Sequence, residues 1–207
     1  MKTLTKEMQA AITPAMALEL LKEGNKRFVN NLKVNRNLLQ QANETSDGQH
    51  PFAVILSCID SRTSAELIFD QGLGDILSIR IAGNILNDDI LGSMELACKI
   101  AGSKLIVVIG HTKCGAIEAA CNNIVLGNIT TLLSKLKPAI ETETKTILNR
   151  TGTNNSYLYN VTINNVFLTV KKIKEQSIIL KEMEEKNEIK IIGGLHDIET
   201  GQVTFFE

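Results

Sequence analysis

The chain has 207 residues, of which 22 are basic and 23 acidic, for a formal net charge of -1. This near balance, with no basic tail or stripe, argues against a nucleic-acid partner, and 43% hydrophobic content is ordinary for a globular protein. No stretch approaches the roughly 18 consecutive apolar residues of a membrane span. The first residues, Met1 to Glu7, lack the apolar run of a signal peptide, so the expected location is the cytoplasm. The length suits one domain with a sizeable core over 1–207, with 1–50 as an amino-terminal helix and arm and 51–207 as an α/β core.

Thr13-Pro14 predicts a helix start, since Thr caps and Pro fits the first helical position. Ala17, Leu20, Leu21 and Phe28 then fall on one face. Residues 32–50 are polar and aperiodic and read as a loop or extended arm. Four short apolar runs follow, at 52–57, 76–81, 105–109 and 189–192. Such runs suit strands buried on both faces of a parallel sheet. Helical patterns lie between them. Ile90, Met94, Ala97 and Ala101 share a face, and Gly102 stops it. Gly115 to Leu126 predicts another helix. Residues 128–149 read as largely helical, with Pro138 as a kink or break. A long helical segment spans about 160 to 187, with Ser177 capping its second part. His196 to Val203 predicts a turn into a short terminal strand. The pattern is α/β, a mostly parallel central sheet flanked by helices with an amino-terminal helical arm.

The four cysteines are Cys58, Cys98, Cys114 and Cys121. In a reducing compartment they are thiols or metal ligands rather than disulfides. Cys98 and Cys121 sit among small apolar residues at helical spacing and read as buried hydrophobes. The other two belong to clusters that follow strands: Cys58-Ile59-Asp60-Ser61-Arg62 and His111-Thr112-Lys113-Cys114-Gly115. Ligands of open parallel sheets bind beyond the carboxyl ends of the strands. If the two strands are neighbours, Cys58, His111 and Cys114 converge. Two thiolates and an imidazole suit zinc, and three protein ligands leave a fourth position open, as in catalytic sites. Arg62 could hold Asp60 ionised beside that position. The residues alone leave ordinary readings open: a hydrogen-bonded core histidine, buried or redox-paired thiols, and a loop ion pair.

Cys-x-Asp-Ser-Arg followed some fifty residues later by Gly-His-x-x-Cys-Gly resembles the signature of the β-class carbonic anhydrases. The resemblance extends to 20–28, 70–75, 80–84 and 193–201, and covers most of 15–206. It implies a zinc enzyme that interconverts carbon dioxide and bicarbonate, with one Zn2+ per chain on Cys58, His111 and Cys114. It implies Asp60 and Arg62 as the catalytic dyad. Gln49 matches a glutamine that, in plant-type members, donates a hydrogen bond to the substrate across a dimer interface. Leu77 and Leu96 stand where such members place aromatic residues in the apolar substrate pocket. The implied assembly is a homodimer or a dimer of dimers.

Some family members carry a second bicarbonate pocket. Ile55, Arg80 and His196 occupy its places here, so only the Arg survives. Activity is therefore expected to rise with pH without strong inhibition through that pocket, and the resting site is expected open rather than closed by Asp60. Carbonyl sulfide or carbon disulfide hydrolysis shares the attack chemistry and is the nearest alternative. A non-enzymatic zinc or thiol sensor is another, disfavoured by Asp60 and Arg62. A nucleotide-binding domain is weaker still, since no glycine-rich phosphate loop follows a strand.

Overall fold

The computed structural model describes residues 3–206. Three helices come first: α1 (Lys6–Ala11), α2 (Pro14–Val29) and α3 (Leu38–Glu44). Thr13 caps α2 by accepting from the Met16 amide, and Pro14 sits in its first turn, as the sequence predicts. The third helix corrects the reading of 32–50 as loop. Asn37 caps it by accepting from the Gln40 amide, a local signal stronger than the absent periodicity. Asp70 anchors this arm: it accepts from Arg27 at 2.6 Å and Arg36 at 2.5 Å, and from the Val34 amide.

The remainder alternates: β1 (Ala53–Ser57), α4 (Ala65–Ile68), β2 (Ile76–Arg80), α5 (Asp88–Glu95), β3 (Leu105–His111), α6 (Gly115–Cys121), α7 (Gly127–Ser134), α8 (Lys137–Glu141), α9 (Asn155–Gln176), α10 (Ile178–Glu185), β4 (Lys190–His196) and β5 (Val203–Phe206). The five strands form one sheet in the order β2-β1-β3-β4-β5. The first four are parallel, and β5 returns antiparallel to β4. β1 and β3 are buried along their whole length, which is why they read as unbroken apolar runs. Alternation assigns the faces: Ala53 and Ile55 join the core under α2 and α4, while Val54 and Leu56 join the core under α5, α9 and α10.

Several helices end differently from the sequence expectation. α6 stops at Cys121 rather than Leu126, because Asn123 takes a left-handed conformation that ends the helix. Residues 128–149 hold only α7 and α8, followed by loop. Pro138 opens α8 instead of kinking a longer helix. The long helix begins earlier, at Asn155, capped by Asn154. Ser177 does cap α10, accepting from the Leu180 amide. Cys98 and Cys121 are both buried, as expected. No described helix is long and apolar enough to cross a membrane.

Gly24 sets how closely α2 can approach the core. A Cβ there would overlap the Phe69 carbonyl after α4, an atom that cannot swing aside. Gly24→Ala should destabilise the protein by about 3 kcal/mol or more, at the top of the usual overpacking range. Urea unfolding at fixed protein concentration reads this; an unchanged midpoint would mean α2 is not held at that distance.

Candidate metal centre

The strand order changes direction between β1 and β3: the chain leaves β1 for β2 on one side, then returns to β3 on the other. The crevice at such a switch point lies at the carboxyl ends of both strands. Cys58 is the first residue after β1, and His111 is the last of β3. Lys113, at φ 56°, turns the chain so that Cys114 caps α6 and faces the same crevice. The donor atoms of Cys58, His111 and Cys114 all lie within 4.8 Å of one another, and all three residues are buried.

The geometry fits a metal. The two sulfurs are 4.0 Å apart, against about 3.8 Å for two ligands of a tetrahedral zinc with Zn–S near 2.3 Å. His111 Nδ1 lies 3.0 Å from the Thr112 carbonyl, so it carries the proton and donates. That leaves the Nε2 lone pair free, and Nε2 is buried with no hydrogen-bond partner among the described residues. A backbone carbonyl fixing the tautomer of a ligand histidine is the usual arrangement at metal sites. The thiols point the same way. The contact with Cys114 pulls Cys58 well below the ordinary thiol range, while that contact and burial push Cys114 up. A charge on one sulfur opposes ionisation of the other, and a cation between them would favour both thiolates.

Neighbouring loops fix these donors. The Gly83 amide donates to Cys58 Sγ at 3.4 Å, from a turn (Ala82–Asn84) where Gly83 has φ 67°. Asn165 on α9 holds that turn, donating from Nδ2 to the Gly83 carbonyl at 2.8 Å. The Thr63 hydroxyl reaches the carbonyls of Cys58 at 3.1 Å and Asp60 at 2.9 Å. Arg80 donates to the same two carbonyls, at 3.1 and 2.6 Å.

Asp60 and Arg62 form a bidentate pair at the lip, with contacts of 2.9 and 2.8 Å, and the Arg62 amide adds a third at 2.9 Å. The Arg62 side chain is the main cause that holds the Asp60 carboxyl far below the usual carboxylate range. Asp60 is turned toward Arg62 and is not part of the close donor group.

The other residues singled out by the sequence lie elsewhere within one protomer. Gln49 is exposed in the coil before β1, so the length of that strand, about 17 Å, separates it from the Cys58 end. Leu77 sits near the start of β2, opposite Val54, and packs on the α5 side. Leu96, 59% exposed, follows α5 in a π-helical turn. Ile55 is in the core, and Arg80 is committed to the loop carbonyls. His196 is paired in register with His111, and both its ring nitrogens are buried without a partner among the described residues. Burial is the main cause that lowers it to about 4. Sequence reasoning missed Thr63, Gly83 and Asn165 as supports. Gly83 lay inside a segment already noted, but nothing in the pattern of α9 marks Asn165.

Fold and site together define an α/β protein with a buried two-sulfur, one-imidazole donor cluster, able to hold a metal ion, at its switch point. Residues 53–203 match the family model described as carbonic anhydrase, and the chain belongs to that family. It is 45% identical over 114 residues to carbonic anhydrase 2 of Mycobacterium tuberculosis, covering 52% of each chain. The chain thus spans about half the length of the curated relatives it matches first. A β-carbonic anhydrase of Aspergillus fumigatus has the same fold, with a TM-score of 0.70 at 24% identity over 93% of this chain and 90% of that one. So do the tetrameric β-carbonic anhydrases of Sordaria macrospora, with a TM-score of 0.69 at 20% identity over 93% and 94%.

Cobalt(II) titration tests the donor set directly. Wild-type protein should take up one equivalent per chain and develop sulfur-to-metal charge-transfer absorption. Cys114→Ala should lose most of that absorption and bind at least about tenfold more weakly. The same band at full strength in Cys114→Ala would remove Cys114 from the site.

Proposed function

We propose that the chain is a zinc enzyme that interconverts carbon dioxide and bicarbonate, with Cys58, His111 and Cys114 as the metal ligands. The observation that carries this reading is the buried three-donor cluster with the Asp60–Arg62 pair at its lip, in a member of the carbonic anhydrase family. Zinc in that cluster would supply a Lewis acid that lowers the pKa of a water molecule at the open fourth position.

The protein's own residues do the rest. Asp60, kept ionised by Arg62, is a pure acceptor. It binds only an oxygen that still carries a hydrogen, and so aims the remaining lone pair at the substrate. Arg62 fixes the carboxylate by two parallel contacts, and Arg80 and Thr63 hold the loop beneath it. Cys58 and Cys114, as thiolates, would offset most of the charge of a divalent metal held there, so the site would not retain an anionic product by charge.

Gln49, Leu77 and Leu96 are the proposed substrate contacts, with Gln49 supplied by a second copy of the chain. The exposed place of Gln49 before β1, about a strand's length from the Cys58 end, supports a homodimer in which it reaches the partner's crevice. β2 supports it further, as an edge strand with no outer partner among the described residues. The tetrameric Sordaria proteins are a precedent for pairing such dimers. Gln49 would hold a substrate oxygen through a neutral amide, which adds no charge to retain bicarbonate.

Asp60→Asn should keep its metal and fold but lose at least about a hundredfold in carbon dioxide hydration, since Asn can donate where Asp only accepts. Stopped-flow hydration with metal analysis reads both, and near-wild-type turnover with metal retained would take Asp60 out of the reaction. Gln49→Ala should cost about tenfold in kcat/KM, the worth of one hydrogen bond of ~1.4 kcal/mol. An unchanged efficiency would leave Gln49 only a place in the loop.

A further inference from the structure

A cavity of about 260 Å³ opens between residues 85–87, the start of α5, α8 and α9. None of Cys58, His111, Cys114, Asp60 and Arg62 lines it. Its wall includes Thr169 and Asn165, both on α9 and only 3% and 4% exposed. Asn165 spends its amide on the Gly83 carbonyl. The Thr169 hydroxyl makes no hydrogen bond among the described residues, although the residue is buried. The hydroxyl opens onto the cavity and is free to donate to an occupant.

The rim is charged. Lys135, after α7, and Lys172, on α9, both line the cavity, and neither joins an ion pair among the described residues. Asp88, in the first turn of α5, is the sole acidic residue on the wall. Two cations against one anion leave the lining positive. We infer that this cavity binds a small oxyanion, a phosphate or carboxylate group, with Lys135 and Lys172 supplying the charge and Thr169 a hydroxyl donor. Lysine is suited to this as a mobile point charge with three donors.

The position gives the site a regulatory meaning. Asn165 links the cavity wall to Gly83, and Gly83 donates to the Cys58 sulfur. An occupant that moves Asn165 moves the turn that holds a metal ligand. The inference stands on the cavity and its lining, and does not depend on which reaction the metal centre performs.

A proton–nitrogen NMR titration of zinc-loaded protein with inorganic phosphate tests it, with acetate in a second series to separate phosphate from carboxylate recognition. The expected result is saturable shifts in the amides of Thr169, Lys172, Asn165 and Gly83 with at least one of the two anions. The dissociation constant should rise at least tenfold in a K135Q/K172Q variant. Thr169→Val, which keeps the shape, should weaken binding several-fold and serves if the double variant does not fold. Shifts that fail to saturate with both anions, or that saturate equally in the variants, would overturn the inference. So would shifts confined to the surroundings of Cys58, His111 and Cys114, which would assign the anions to the metal centre.

Discussion

Two sulfurs 4.0 Å apart and an imidazole are buried together at the end of a parallel sheet. Burying one thiolate is costly, and burying two side by side without a cation costs far more. The crevice therefore makes chemical sense as a place for a soft-to-borderline divalent metal, and the local structure follows from that. β1 and β3 must be neighbours, so that residues about fifty positions apart meet. The turn after β3 must double back, so that Cys114 joins His111. Glycine must stand at position 83, so that a backbone amide can approach Cys58.

The layers around the sheet serve this end. The α2–α4 side and the α9–α10 side bury both faces of β1 and β3, which makes the strands rigid to their last residue. α9 then does a second job through Asn165, tying the helical layer to the turn under Cys58. Arg80 and Thr63 draw the 58–63 loop over the end of β1, leaving Asp60 and Arg62 at the surface of the crevice. The three donors are buried, while the Asp60–Arg62 pair is shallower.

Much of this was legible in the sequence. The β1 and β3 runs were visible because full burial removes polar alternation, and the clusters holding Cys58 and His111–Cys114 could be placed because they follow those runs directly. Thr13-Pro14 and Ser177 marked helix starts through local capping chemistry, which does not depend on tertiary context. The misreadings share a cause. α3 depends on one Asn cap in a polar stretch, and the end of α6 depends on one left-handed Asn, neither of which periodicity can register. Asn165 was invisible because its role comes from packing α9 against the Gly83 turn, a contact across some eighty residues. Gln49, Leu77 and Leu96 came only from likeness to the family, and no periodicity or spacing in the chain marks them.

The most direct test of the account is stopped-flow carbon dioxide hydration by the same protein preparation as purified with zinc, after the metal is stripped, and after zinc is restored. The account predicts turnover that disappears with the metal and returns with one equivalent per chain. Protein that holds zinc through Cys58, His111 and Cys114 yet shows no hydration above background would contradict it.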